Sequence, residues 1–209
     1  MTSTLLEEVV AGRAPAVASL TVDQVHRMLD TGILRDGEPV ELIEGILVQK
    51  DRADAGEDTM SHGKRHRLVV KNLIHLERKL PPHCHLLIQL PVTLSSSSEP
   101  EPDAALVRGT PADYAEHNPG PGDILAVIEV SASSLVYDRT TKLRLYAEAG
   151  IAIYWIVNAR DGRLEVHTDP VPAEGRYLRR IEMGLGDIAR IDLGHDATLE
   201  VPVGDLLPR

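Results

Sequence analysis

The sequence holds one cysteine, Cys84, in 209 residues. No internal disulfide can form, which excludes a small fold stapled by cross-links. Long apolar runs are missing too; none reaches the ~20 residues a helix needs to span a bilayer. The N-terminus has no basic stretch followed by an apolar one, the pattern of a secretion signal. These absences lead us to expect a cytoplasmic protein without a membrane partner. Positive charge is also in short supply. Lys and Arg number 22 against 32 Asp and Glu, for a formal net charge of -10. That counts against a protein coating nucleic acid through bulk charge. Local phosphate contacts stay open, because carboxylates can hold metal ions that bind a polyanion. The basic residues that do cluster are Lys64, Arg65, Arg67, Lys71, Arg78 and Lys79, then Arg139, Lys142 and Arg144. We read them as solvated helix faces.

Hydrophobic residues make up 43% of the chain, ordinary for a globular protein, and the length fits one domain with a sizeable core. Repeats and a second domain are not visible. The weakly periodic residues 1–19 read as a flexible tail and 20–209 as a single domain. Thr21 and Gln24 fit a capping box, and Val22, Val25, Met28 and Leu29 an apolar stripe ended by Gly32. Residues 40–49 alternate around Glu44-Gly45 and predict a β-hairpin, with Val40 and Leu42 on one side and Glu41 and Ile43 on the other. Residues 51–59 read as an acidic loop. A helix is expected over 62–80, with Val69, Leu73, Leu76 and Leu80 on its core face and Pro81-Pro82 ending it. Strands are expected over 84–94 and 103–107, and beyond 163 a meander that closes with an edge segment over 199–206.

The stretch 124–158, ILAVIEVSASSLVYDRTTKLRLYAEAGIAIYWIVN, organises the rest. Five consecutive apolar residues from Ile124 to Ile128 mark a strand covered on both faces, ending near Glu129. Helical spacing follows over 138–149, with Gly150 placed to stop it, and a second buried strand runs from Ile151 to Val157. Strand, helix and strand at this spacing imply a crossover and parallel pairing. Asp138, Lys142 and Tyr146 recur every four residues and share a helix face. The expected fold is therefore α/β: a mixed β-sheet flanked by helices, with an N-terminal helix and hairpin.

Asp103 opens one strand and Glu129 ends the next strong one. If the strands are neighbours, two carboxylates meet at one sheet edge, and with a backbone carbonyl and waters they suit Mg²⁺ or Mn²⁺. A lysine beside them can stabilise a charged phosphate or position a water. Other readings compete. Asp138 and Lys142 can be a plain helical ion pair. His62 and His66 have metal-pair spacing without further ligands. His83-Cys84-His85 alternates across a strand and cannot easily converge. Tyr154 and Trp155 read as core.

EPEPDAALVRG, followed by the 124–158 stretch, resembles the restriction-endonuclease-like family of bacteria within the PD-(D/E)xK nuclease superfamily. VELIEGILV and His66 resemble the N-terminal part of the same family, so the likeness runs from about Val22 to Leu206. It implies a restriction-endonuclease-like core, Mg²⁺ dependence with Mn²⁺ as a substitute, and phosphodiester hydrolysis in DNA. By position, Asp103 and Glu129 become the catalytic metal-binding acids, with the Val130 carbonyl as a further ligand. The lysine expected two residues after the second acid is replaced by Ser131, and Lys142 on the following helix takes its role. Glu41 and His66 match further catalytic positions, and Gln89 and Tyr146 line the pocket. Ile153 and Asn158 depart from acidic residues common in the family and lie peripheral to the site. Cutting both strands of a duplex needs two sites, so the resemblance also implies a homodimer. The alternatives are an inactive nuclease-fold binding module, and a nuclease acting on RNA or branched DNA.

Overall fold

The computed structural model describes residues 8–9, 11–12, 17–35, 37–50 and 59–207, with backbone alone for 59–62. Most of the expected N-terminal tail, the acidic loop over 51–58 and the His62 side chain lie outside the described residues.

Helix α1 spans Val22–Asp30 and is capped as expected: the Gln24 amide donates to the Thr21 hydroxyl, and the Thr21 amide to the Gln24 side chain. Val22 and Val25 pack on Leu42, but Leu29 is exposed, so the buried stripe is narrower than the spacing predicted. Strands β1 (Val40–Ile43) and β2 (Ile46–Gln49) form the expected hairpin. Both faces of β1 are covered: Leu42 packs on α1, while Ile43 joins the core around Tyr146 and Glu41 turns the same way. Glu44 and Gly45 make the two-residue turn with φ of 50° and 81°, the conformation a tight hairpin demands. A Cβ on Gly45 would sit 2.3 Å from the Ser19 Cβ. Gly45→Ala is therefore expected to cost about 2–3 kcal/mol in urea unfolding, from the positive φ and the clash together.

Helix α2 (Thr59–Ile74) continues into a 3₁₀ segment, His75–Lys79. Val69, Leu73 and Leu76 are buried on its core face, and Leu80 is half-buried beyond its end. The principal sheet has six strands in the order β3 (Cys84–Ile88), β4 (Ala104–Arg108), β5 (Ile124–Ser131), β6 (Ile153–Asn158), β7 (Arg163–Val171) and β8 (Arg176–Met183). Strands β5 and β6 are parallel, and every other neighbouring pair is antiparallel. Strand β3 ends six residues before the expected Leu94. Gln89 adopts φ of 51° and Pro91 offers no N–H, so pairing with β4 stops there.

Between β5 and β6 runs α3, built from an α-turn Leu135–Tyr137, a π-helical turn Asp138–Lys142 and an α-segment Leu143–Glu148. It starts three residues earlier than its spacing predicted, and Gly150, at φ of 74°, follows its end. The last elements are a hairpin of β9 (Ile188–Gly194) and β10 (Ala197–Pro202), then the helical turn α4 (Val203–Leu206). The expected closing edge segment is thus half strand and half helix.

Side-chain alternation divides the core in two. Ala104, Leu106, Ile128, Val130, Trp155 and Val157 face α2, α4 and the β9–β10 hairpin. Ala105, Val107, Val127, Tyr154 and Ile156 face α3 and the β1–β2 hairpin. Tyr154 and Trp155 are both wholly buried, as core residues should be. The odd-numbered residues of β4, and those of β5 from Val127 on, beyond the register shift at Leu106/Val107, point toward α3. Asp103 and Glu129 extend that set, and the fold thereby aims both acids at Lys142.

Candidate active site

The antiparallel register pairs Ala104 with Ile128, which brings Asp103, one residue earlier, beside Glu129. The Asp103 amide donates to Glu129 Oε2 at 3.3 Å, and the Val130 amide donates to Asp103 Oδ2 at 2.8 Å. Helix α2 supplies His66, whose Nε2 lies 3.0 Å from Asp103 Oδ1. Gln89 donates to the same oxygen at 3.3 Å, its side chain placed there by the backbone turn that ends β3. From α3, the Tyr146 hydroxyl donates to Glu129 Oε1 at 2.8 Å, and Lys142 Nζ lies 3.3 Å from that oxygen. Lys142 also donates to Glu41 Oε2 at 2.7 Å, and Glu41 takes a second bond from the Glu101 amide at 3.1 Å.

All five expected site side chains, Glu41, His66, Asp103, Glu129 and Lys142, therefore meet in one cleft of about 440 Å³. Val130 lines the same cleft, and its amide is the group bonded to Asp103. Gln89 is also on the cleft wall; Tyr146 reaches it only through Glu129. Among the charged residues of the cleft, sequence reasoning missed Lys50, Arg67, Glu101 and Asp138. Lys50 pairs with Glu101 at 2.5 Å, Arg67 projects from α2, and Asp138 lies buried on the π-turn. The four-residue spacing of Asp138 and Lys142 was visible, and a plain ion pair between them was one of the competing readings. No such pair forms: Asp138 instead accepts from the Ser134 hydroxyl at 2.6 Å, while Lys142 turns to Glu41 and Glu129.

Burial sets the protonation of the site. It pushes the Glu129 carboxyl up to about 7, with Lys142 opposing and the Asp103 charge adding to the rise. Burial also tends to raise Asp103, but its hydrogen bond and charge contact with His66 prevail and hold it below the ordinary value. Burial pulls His66 down, and the Asp103 carboxylate more than compensates, leaving its imidazole above its usual pKa. Desolvation alone would discharge Lys142; Glu129 and Glu41 instead keep its ammonium protonated beyond the usual lysine range.

Two adjacent carboxylates supply hard oxygen donors, the set preferred by Mg²⁺ and Mn²⁺. A dication beside Glu129 would favour its ionised form against the burial and the Asp103 charge that raise it, so the residues fit such an ion. Among the described residues no group of three His, Cys, Asp or Glu side chains is disposed to cage a metal unaided. Water would have to complete the shell. The His83-Cys84-His85 run does not offer a rival centre. Cys84 Sγ contacts the Leu193 carbonyl while His85 Nδ1 sits 3.2 Å from the Gly109 carbonyl, so the neighbours diverge as strand geometry requires. Ile153 packs in the core and Asn158 bonds Asp161 at 3.0 Å; neither lines the cleft. The cationic residues Lys64, Arg65, Arg67, Lys71, Arg78 and Lys79 form the exposed helix face their sequence predicted. Arg144 pairs with Glu44 and Glu148, and Arg139 with Glu165. No helix among the described residues is long and apolar enough to cross a membrane.

A mixed sheet flanked by helices, with a Pro-Asp acid and a second acid at adjoining strand ends, defines the restriction-endonuclease-like class. Residues 22–202 match the model of the Uma2 family, described as "Putative restriction endonuclease", and the chain belongs to that family. Among solved structures, the chain is similar to one titled a putative nuclease belonging to DUF820 from Anabaena variabilis. The TM-score is 0.60 at 14% identity, over 90% of this chain and 97% of the other. At that identity the likeness is one of fold. No curated protein matches the sequence.

Proposed function

We propose that the protein is an endonuclease that hydrolyses phosphodiester bonds in DNA with Mg²⁺, or Mn²⁺ in its place. The convergence of Asp103, Glu129 and Lys142 in one cleft carries this reading. Asp103 and Glu129 would hold the cation, which supplies Lewis-acid polarisation of the scissile phosphate when bound. Lys142 keeps a fixed positive charge beside Glu129, placed to offset the charge that builds on the phosphate oxygens. Glu41 holds Lys142 in place, and His66 orients Asp103 from the opposite wall. Lys142 makes good the lysine absent at Ser131. Two copies acting as a homodimer would cut both strands.

The test is cleavage of labelled duplex, single-stranded and branched DNA, and of RNA, with Mg²⁺ or Mn²⁺ and with EDTA. The reading expects metal-dependent products from DNA. Intact substrates in every metal-containing reaction would defeat it, and cleavage of RNA alone would reassign the substrate.

The pKa directions also fix how stability depends on pH in metal-free protein. Glu129 is raised from 4.5 to about 7, so its contribution is full below 4.5 and is lost as pH rises through about 7. His66, raised above 6.5, contributes in the same sense, its share lost as pH rises through its folded pKa. Asp103, lowered from 3.8, acts only at acid pH, where its contribution disappears as pH falls. In EDTA the melting temperature is therefore expected to fall from pH 5 to pH 8. Saturating Mg²⁺ should offset the fall at pH 8 and do little at pH 5. Calorimetry at the two pH values checks both statements.

A further inference from the structure

One carboxylate in the cleft is unused by the machinery above. Asp138 is 4% exposed and lines the cleft wall, yet no cation lies within ion-pair distance of it among the described residues. Every other cleft carboxylate is engaged. Asp103 holds His66, Gln89 and the Val130 amide; Glu129 holds Tyr146, Lys142 and the Asp103 amide. Glu41 takes Lys142 and Glu101 takes Lys50. The other cleft carboxylates are therefore committed. Lys142 donates to one carboxylate and sits against a second, so it has no lone pair to offer. His66 gives Nε2 to Asp103, which leaves its Nδ1 as the competing acceptor.

The backbone that carries Asp138 is built for fixed placement. The π-turn sets Asp138 and Lys142 at its two ends, both buried. The Asp138 carbonyl accepts from the Tyr154 hydroxyl at 3.1 Å and from the Leu143 amide. The Ser134 hydroxyl holds Oδ2 at 2.6 Å, with Ser131 alongside. Single π-turns inside helices recur at functional sites, and a buried acid without a counter-ion costs stability, which makes it a functional-site candidate.

We propose that Asp138 is the catalytic base of the hydrolysis, the group that takes the proton from the attacking water. The inference rests on the nuclease reading above. The water oxygen forms the new bond to phosphorus as its proton passes to Asp138. The bond from phosphorus to the leaving sugar oxygen breaks, and that oxygen takes a proton from solvent. Asp138 then returns its proton to bulk water. Burial raises the carboxyl above its ordinary pKa, against the Ser134 hydrogen bond, which strengthens it as a proton acceptor.

Asp138→Asn keeps the shape and the acceptor for Ser134 but removes the base. Four quantities are measured at pH 8 on the wild type and the variant: single-turnover DNA cleavage, KM, Mn²⁺ affinity and melting temperature. The expected result is a loss of about 100-fold or more in rate, with KM and Mn²⁺ affinity within twofold. The melting temperature should rise by about 2–4 °C, because an unpaired buried charge is gone. Formate should restore part of the rate to Asp138→Gly. A variant cutting within threefold of wild type overturns the proposal. So does one that loses Mn²⁺ binding or stability along with activity, since Asp138 would then be structural. A wild type that binds Mn²⁺ but cuts nothing removes the nuclease reading, and the base with it.

Discussion

Replacing Asp103 with Asn is expected to abolish cleavage, with a loss of about a thousandfold or more and almost no change in fold. A thousandfold is about 4 kcal/mol of transition-state stabilisation, within what a lost metal-binding charge withdraws. The fold should survive because the contacts of Asp103 are local. Asn keeps an acceptor for the Val130 amide, which now meets Oδ2 at 2.8 Å. What disappears is the negative charge beside Glu129 and the anionic partner of His66. The imidazole should consequently titrate at lower pH than in the wild type, which NMR of His66 would report. Circular dichroism and cleavage assays on the same sample complete the test. Activity within tenfold of wild type would show that the chemistry lies elsewhere.

Lys142→Met should act the opposite way, on the fold first. Lys142 is 4% exposed and its ammonium neutralises Glu41 at 2.7 Å and Glu129 at 3.3 Å. Removing it leaves two buried carboxylates facing each other. Breaking a buried pair in this manner costs about 3–5 kcal/mol. For a chain of this size that is a fall of roughly 10 °C in melting temperature. The penalty should depend on pH with a known sign. Glu129, with a pKa near 7, is already neutral at pH 5, so the loss should be smaller there than at pH 8. Adding Glu41→Leu should recover part of the stability without restoring activity. A Lys142→Met protein as stable as wild type at pH 8 would mean that Glu41 and Glu129 do not share this ammonium.

Much of this arrangement was legible in the sequence, because it rests on local signals. Five consecutive apolar residues after Asp123 marked a strand covered on both sides, and Gly150 was placed to end the helix between β5 and β6. Parallel pairing followed from those two facts. The four-residue spacing put Asp138, Lys142 and Tyr146 on one buried helix face, and the fold obeys it. The partners of that face were another matter. Asp138 and Lys142 looked like mates; the fold separates them because Glu41, about a hundred residues earlier, offers a fully desolvated carboxylate. No local pattern encodes a contact of that range, and the π-turn carrying both residues leaves no compositional trace. The end of β3 was missed for a similar reason. Residues 84–94 are apolar enough to continue, and the left-handed backbone at Gln89, with Pro91 just beyond, turns the chain aside. That same turn puts the Gln89 amide on Asp103, so the irregularity serves the site.

The most direct test of the account is the affinity for Mn²⁺ as a function of pH, measured by calorimetry on wild type and Glu129→Gln. If Asp103 and Glu129 hold the cation, binding must displace the proton that Glu129 carries below about 7. Affinity should then rise by about tenfold per pH unit between pH 5 and 7 and level off above. Glu129→Gln should bind weakly at every pH, with that slope lost. Saturable binding with the same pH dependence in both proteins, or no binding by wild type at pH 8, would contradict the account.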